Sequence, residues 1–555
     1  MLCEPFTHKT NLFSTCLSWP GGRTFFVLFG STNWHKKTRD MARMSSRHVC
    51  IIVGILTIVV LLSLPWVTKS EAEVEEKSDD DSEDKVVDED EPYRHPKNIL
   101  NVPKNAGRTD DSEEEESEEI EEEPEEMCPP NVGDKYITLE DGTIKVDMAS
   151  LQAEGWEKLD CRYQAFSRKM DHDITFNPKD VIQDLGQKGE ISFPMKHEFV
   201  KVECRLLSAN RTRQTIYRLF SQVMRNDELV TRKVKGSRNP LGVNVFLLCV
   251  GSMSQNRFKT NLPLTYRLLT EGLRAREFPR YHMVGKTSAA MTAAMTGQVE
   301  RELEADIEQQ QFGWYKDKYP WLWNEFKKAG YVTLLAEEMP SAWGYEKGAF
   351  RNQPTDHYFR TLLVQAAKTF GDEACVGSTP AHQATLDYTR DFTNKYSDGL
   401  MFVLSSIHET SRTQRSASDF ATIDSDIYSL LKFWNHKLLL QNSIVVVFSD
   451  LVDVATEGGT EDDTVLPFMS IAFPPHIKDQ YPEIMANLKV NQNRATSPFD
   501  LHRTLLEVLD YKPRQNGQYS RESSLFHEIP ADRSCQQAGI PKEHCTGKFT
   551  VHPEI

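Results

Sequence analysis

The chain has 555 residues and a net charge of −17, a length that allows two to four domains, or one large α/β domain with appendages. Residues 71–126 hold 26 Asp/Glu and 6 Lys/Arg, a balance of −20 that leaves about +3 for everything else. The acidity is therefore local and argues against a nucleic-acid binder, which usually shows a basic stripe, while 39% hydrophobic and 26% charged residues exclude collagen-like, coiled-coil and polytopic membrane classes.

In chain order, residues 1–48 read as a cytosolic N-terminal segment. Residues 49–67 are nineteen residues without a charge, including Ile51, Ile52, Val53 and Val59 to Leu62, long enough to span a bilayer. Lys36, Lys37, Arg39, Arg43 and Arg47 precede this run and acids follow it. The positive-inside rule then places the N-terminus in the cytosol and the rest outside or in a lumen. The expectation is a single-pass type II signal anchor. A cleaved signal peptide, giving a secreted protein, is the alternative, although no Ala-x-Ala site follows. Residues 68–127 alternate acidic blocks with Ser, Lys and Pro. They lack the apolar surface that offsets ordering entropy, so a disordered stalk is expected.

Residues 128–235 read as a small cysteine-containing region with strand signals at 136–139 and 199–204. From 236 to 515 strand-length apolar runs alternate with helical patterns. Strands are expected at 243–250, 331–336, 400–405, 444–448 and 466–473. Helices are expected at 262–273, 357–367, 423–440 and 500–509. This alternation predicts an α/β fold with a mostly parallel central sheet flanked by helices. Residues 516–555 read as a C-terminal tail with a disulfide. Of the seven cysteines beyond the apolar span, Cys249 lies inside a buried run and is expected as a free thiol. The other six can form three disulfides in any of 15 pairings. Asn210-Arg211-Thr212 is a glycosylation sequon.

Ligand sites in parallel α/β sheets lie at the C-terminal strand ends. There the chain offers Gly251-Ser252-Met253-Ser254, His408-Glu409 and Ser449-Asp450-Leu451. Asp450 follows a buried strand directly, and His408 beside Glu409 forms a ligand-and-orienter pattern. His502 stands at the start of the last helical pattern.

A long series of segments carries a resemblance. It includes Asn244-Val245-Phe246-Leu247-Leu248 with Gly251-Ser252-Met253-Ser254, Thr287 ten residues before Gly297, and Gly330-Tyr331-Val332-Thr333-Leu334. It continues with Pro354-Thr355-Asp356-His357-Tyr358-Phe359-Arg360, Val447-Phe448-Ser449-Asp450 and Pro498-Phe499-Asp500-Leu501-His502. Over about residues 128–545 the chain resembles the nematode- and insect-rich DUF229 family, whose fold is of the alkaline phosphatase/sulfatase type. The resemblance implies divalent cations at the strand ends and a metal-activated nucleophile. By position, the nucleophile falls on Thr287, one metal-ligand Asp on Asp450 and a late His on His502. His408-Glu409 approximates the family's His-Asp. The first-strand Asp falls on Gly251, and the His of the Asp-His pair on Leu451.

With two of four principal ligands replaced, cofactors reduce to none or one divalent cation (Zn, Mn or Ca) held by Asp450, His502, His408 and Glu409. Two readings stay open. One is a membrane-anchored extracellular or lumenal pseudoenzyme that binds or scaffolds an extracellular protein or glycan partner. The other is a metal-dependent hydrolase or transferase of phosphate or sulfate esters with an altered one-metal site. No nucleic-acid partner is expected.

Overall fold

The computed structural model describes residues 12–18, 24–30, 127–184, 191–232, 240–303, 316–339, 350–408, 410, 416–451, 466–512 and 520–545. The chain divides into two units, 1–115 and 116–555. In the first, Leu12–Ser18 and Thr24–Gly30 pair as an antiparallel hairpin, a stretch in which the sequence shows no clear periodicity. Among the described residues no helix is long and apolar enough to cross a membrane. The expected span at 49–67 and nearly all of the acidic stretch lie outside them.

The second unit opens with two antiparallel sheets. The smaller joins β1 (Ile137–Glu140), β2 (Thr143–Val146) and β5 (Ile191–Pro194). The larger has the order β4 (Asp173–Asp184), β3 (Trp156–Met170), β6 (Phe199–Ser208), β7 (Arg213–Ser221). In β3 the buried side is Leu159, Cys161, Tyr163 and Ala165, and the other side carries Lys158, Asp160, Arg162 and Gln164. This period of two is the signature of a strand with one face on a core. Cys161 and Cys204 are directly opposite on β3 and β6 and are disulfide-bonded.

The remainder is built on a seven-stranded sheet. Its strands are β8 (Asn244–Val250), β9 (Arg276–Glu277), β10 (Val332–Glu337), β11 (His357–Tyr358), β12 (Met401–Ile407), β13 (Ser443–Phe448) and β14 (Met469–Ala472). The spatial order is β9-β14-β13-β8-β12-β10-β11. The five strands from β13 to β11 are parallel, and β14 and β9 add an antiparallel edge. The expected α/β sheet is the one observed. Every residue of β8 is buried, as a central parallel strand requires. Val245, Leu247 and Cys249 face one core with Met291 of α1 (Thr287–Thr296) and Leu501 of α5 (Pro498–Leu509). Phe246, Leu248 and Val250 face the other, with Leu386 of α3 (Ala381–Lys395) and Ile427 and Trp434 of α4 (Ala417–His436). Helices thus cover both faces.

One expected helix is divided. His357–Tyr358 joins the sheet edge, and α2 starts only at Arg360 and runs to Phe370. Asp356 is the cause: its carboxylate accepts from the Thr333 backbone and hydroxyl, and its own N–H donates back to Thr333. That exchange lays the following two residues along β10. The C-terminal stretch contributes to the main core through Leu525, Phe526 and Ile529.

Cys249 is free and buried, as expected. The other six cysteines pair as Cys128–Cys375, Cys161–Cys204 and Cys535–Cys545. Cys128–Cys375 ties the entry of the chain to the connection between α2 and α3 across 247 residues. Replacing both cysteines by serine is expected to cost about 2–5 kcal/mol, read as a lower denaturant midpoint with a steeper slope, because the unfolded chain without the cross-link exposes more surface.

Candidate functional site

Three loops meet where β8, β12 and β13 end. Beyond Val250 the chain turns through Gly251 and Ser252, the latter at φ 55°, a left-handed conformation uncommon for a residue with a side chain. The turn is held from both sides. Gly251 donates its N–H to the Ile407 carbonyl at 2.7 Å, and its own carbonyl accepts from the Thr410 hydroxyl at 2.5 Å. Asp450 Oδ1 accepts from the Ser252 N–H at 3.2 Å, and the Ser449 hydroxyl accepts from the Met253 N–H at 2.9 Å. Asp450 is only 2% exposed, and its Oδ2 has no hydrogen-bond partner among the described residues.

His408 closes the cluster. Its Nε2 and the Ser406 hydroxyl are 2.7 Å apart, and its backbone N–H donates to Glu338 Oε2 at 2.7 Å. Its ring lies against Gly251 so closely that a Cβ there would overlap Nδ1. The imidazole occupies the space into which a side chain at 251 would project. Burial holds the His408 pKa below its ordinary value, against the pull of Asp450. Burial likewise raises the Cys249 thiol well above its usual range, and nearby Asp450 adds to the rise.

Two further predicted residues border α1. Thr287 is the first residue of α1 and is half-buried. His502, on α5, approaches the opposite end of that helix: a Cβ on Gly297 would lie 2.6 Å from His502 Nδ1. Ten residues of helix separate the two ends by about 15 Å. The neighbour of His502 Nδ1 is Glu522, at 3.6 Å. Glu409 lies outside the described residues. Gly251, His408 and Asp450 therefore come together, and Thr287 and His502 stand at opposite ends of α1. Among the described residues no three His, Cys, Asp or Glu side chains form a group able to hold a metal ion.

Asp500, in the same segment as His502, has a structural task. It is fully buried in a bidentate pair with Arg533, 2.9 Å on each arm, and it accepts from the Ser497 and Ser523 N–H groups. With Ser497 it forms the capping box that starts α5.

Two carboxylates escaped the sequence reading although the signal was the one that found Asp450, a buried strand running into an acid. They are Glu337, the last residue of β10, and Glu338 after it. Glu337 is fully buried, with Oε1 accepting from Arg360 Nη1 at 3.2 Å and Oε2 lacking a partner among the described residues. Arg360 also donates from Nε to the Asp171 carbonyl at the β3–β4 turn, which links the antiparallel region to this strand end.

An open α/β sheet with its loop cluster at the carboxyl strand ends defines the class: a fold that places candidate ligands in a crevice beyond those ends. The family model described as "Protein of unknown function (DUF229)" matches residues 119–552, and the chain belongs to that family. No curated protein matches it. Similar solved structures include the lipoteichoic acid synthase LtaP from Listeria monocytogenes, at 13% identity over 52% of this chain and 74% of that one, with a TM-score of 0.34. The lipooligosaccharide phosphoethanolamine transferase A (EptA) from Neisseria meningitidis is 14% identical over 50% of this chain and 56% of that one, TM-score 0.32. An alkaline phosphatase superfamily protein from Vibrio parahaemolyticus is 15% identical over 50% and 67%, TM-score 0.32. Likenesses of this size carry no functional weight.

Glu337 gives the cluster a pH signature. Burial pushes its carboxyl from 4.5 up to about 8, with Asp171 reinforcing the rise and Arg360 and Lys316 opposing it. The folded chain therefore keeps a proton that the unfolded chain releases. Its contribution is constant below pH 4.5 and is lost as pH rises toward about 8, at up to about 1.4 kcal/mol per pH unit. In denaturant unfolding, Glu337→Gln should gain on the wild type steadily between pH 5 and 8. A constant offset across that window would contradict it.

Proposed function

We propose that this protein is a membrane-anchored, catalytically silent relative of the alkaline phosphatase/sulfatase-like enzymes, displayed on the extracellular or lumenal side as a binding module. One observation carries the reading: the His408 ring fills the place of the missing first-strand ligand at Gly251. The donor set is the other half of the test. Of the four principal positions implied by the resemblance, Asp450 and Thr287 keep oxygen donors, while Gly251 and Leu451 supply none. Zinc takes four N, O or S ligands and calcium six to eight oxygens, so the residues present do not fit the cation that the resemblance implies.

With no donor at Gly251 or Leu451 to help hold an activating cation, the Thr287 hydroxyl keeps its ordinary, weak nucleophilicity. The chemistry left at the strand ends is that of a packed polar cluster. Its hydrogen bonds run from backbone N–H groups to Asp450, Ser449 and Glu338, and these hold loops in place. The resemblance supports the superfamily, and the apolar run at 49–67 with its basic flank supports the anchor.

Hydrolysis of aryl phosphate and aryl sulfate esters tests the proposal on the full chain, with Zn, Mn and Ca added in turn. The expected result is the same background rate for the wild type and Thr287→Ala. A rate above background that Thr287→Ala abolishes overturns the reading. The blocked ligand position adds a second expectation. Gly251→Asp with Leu451→His stays metal-poor, and metal uptake requires His408→Ala as well.

A further inference from the structure

The antiparallel region carries a feature that the strand-end cluster does not use. A groove of about 590 Å³ opens on the larger sheet, walled by β3, β6 and β7. That is inside the ~300–1,000 Å³ range of ligand sites. The strand register sets its floor. Lys158, Leu207 and Arg213 stand in one cross-strand row, and Asp160, Arg205 and Thr215 in the next. Lys158 and Arg213 are exposed, and neither has a hydrogen-bond or ion-pair partner among the described residues. Leu207, half-buried between them, offers an apolar patch. Two cationic donors flanking an aliphatic face suit a sugar, which has hydroxyl and amide oxygens at its rim and a C–H face in the middle.

The turn directly above this row is the sequon. Ser208 donates its N–H to the Thr212 carbonyl at 3.1 Å, and its carbonyl accepts from the Arg211 N–H at 3.0 Å. Its hydroxyl accepts from the Thr212 N–H at 3.2 Å. Arg211 sits at φ 61°. The result is a tight connection that leaves Asn210 exposed at its tip. Neither the Asn210 amide nor the Thr212 hydroxyl has a partner among the described residues. Leu207 and Arg213 are each three residues from Asn210, within about 10 Å of chain.

We propose that Asn210 is glycosylated and that the first sugars of that glycan fold back into the groove, over Leu207 and between Lys158 and Arg213. The modification joins Asn210 Nδ2 to the anomeric carbon of the first sugar and breaks that carbon's bond to phosphate in a polyisoprenyl-diphosphate oligosaccharide donor. Nδ2 gives up one proton, and the lipid diphosphate leaves. The seated sugars cover the outward face of the larger sheet and leave the strand-end loops as the binding surface. The inference rests on the extracellular or lumenal orientation proposed above.

The test uses the full chain made in a glycosylating eukaryotic cell. Protease protection in sealed microsomes reads the orientation first. Peptide mass mapping then reads Asn210, and an amine-acylating reagent reads Lys158, with exposed Lys432 of α4 as the control. The expected result is a protected ectodomain, a glycan on Asn210, and a several-fold rise in Lys158 acylation after enzymatic glycan removal, with Lys432 unchanged. Thr212→Ala should label like the deglycosylated protein, and Thr212→Ser like the wild type. A protected ectodomain with bare Asn210 overturns the glycan while leaving the orientation standing. A glycan whose removal leaves Lys158 unchanged overturns the seat. An unprotected ectodomain overturns both the orientation and the inference.

Discussion

The second unit depends on one strand. β8 is paired on both sides, by β12 and β13, and buried on both faces. It separates the two main cores, so the helices on either side are positioned by its alternating side chains. It also fixes where the chemistry of the fold would lie, because the loops leaving β8, β12 and β13 emerge together. Whatever stands at the first position beyond β8 therefore decides what that cluster can be. Here it is a glycine, and a histidine ring occupies the space.

That single steric fact connects the rest. A carboxylate at 251 would compete with the His408 ring for the same volume. With glycine there, the ring packs against backbone, Ser406 stands beside its Nε2, and Glu338 accepts from its backbone N–H. Asp450 turns one oxygen to the Ser252 N–H, and the other has no partner among the described residues. A buried, half-satisfied carboxylate costs free energy, and the surrounding turn holds it in place. The polar residues that remain at the strand ends are thus explained by loop anchoring as well as by descent.

Much of the architecture was legible because parallel strands buried on both faces read as unbroken apolar runs. Residues 243–250 and 444–448 stood out for that reason. β3 was missed although Lys158 through Ala165 alternates polar and apolar residues, the other signature of a strand. The loss of donors at Gly251 and Leu451 could be read residue by residue. That the His408 ring fills the gap could not, because it depends on the path of a loop 157 residues away. His502 was assigned to the cluster through the family resemblance. Its position across from Gly297 follows from how α5 packs on α1, which local pattern does not encode. Glu337 needed no structure to be noticed. The strand before it ends in two acids, the same signal that drew attention to Asp450.

Metal content is the most direct measurement of the account. The full chain, purified without chelators and confirmed folded, is analysed by elemental mass spectrometry for Zn, Mn, Ca and Mg. The account predicts only substoichiometric traces, indistinguishable between the wild type and Asp450→Asn. One equivalent of a divalent cation per chain that Asp450→Asn removes would contradict it and restore a working metal site.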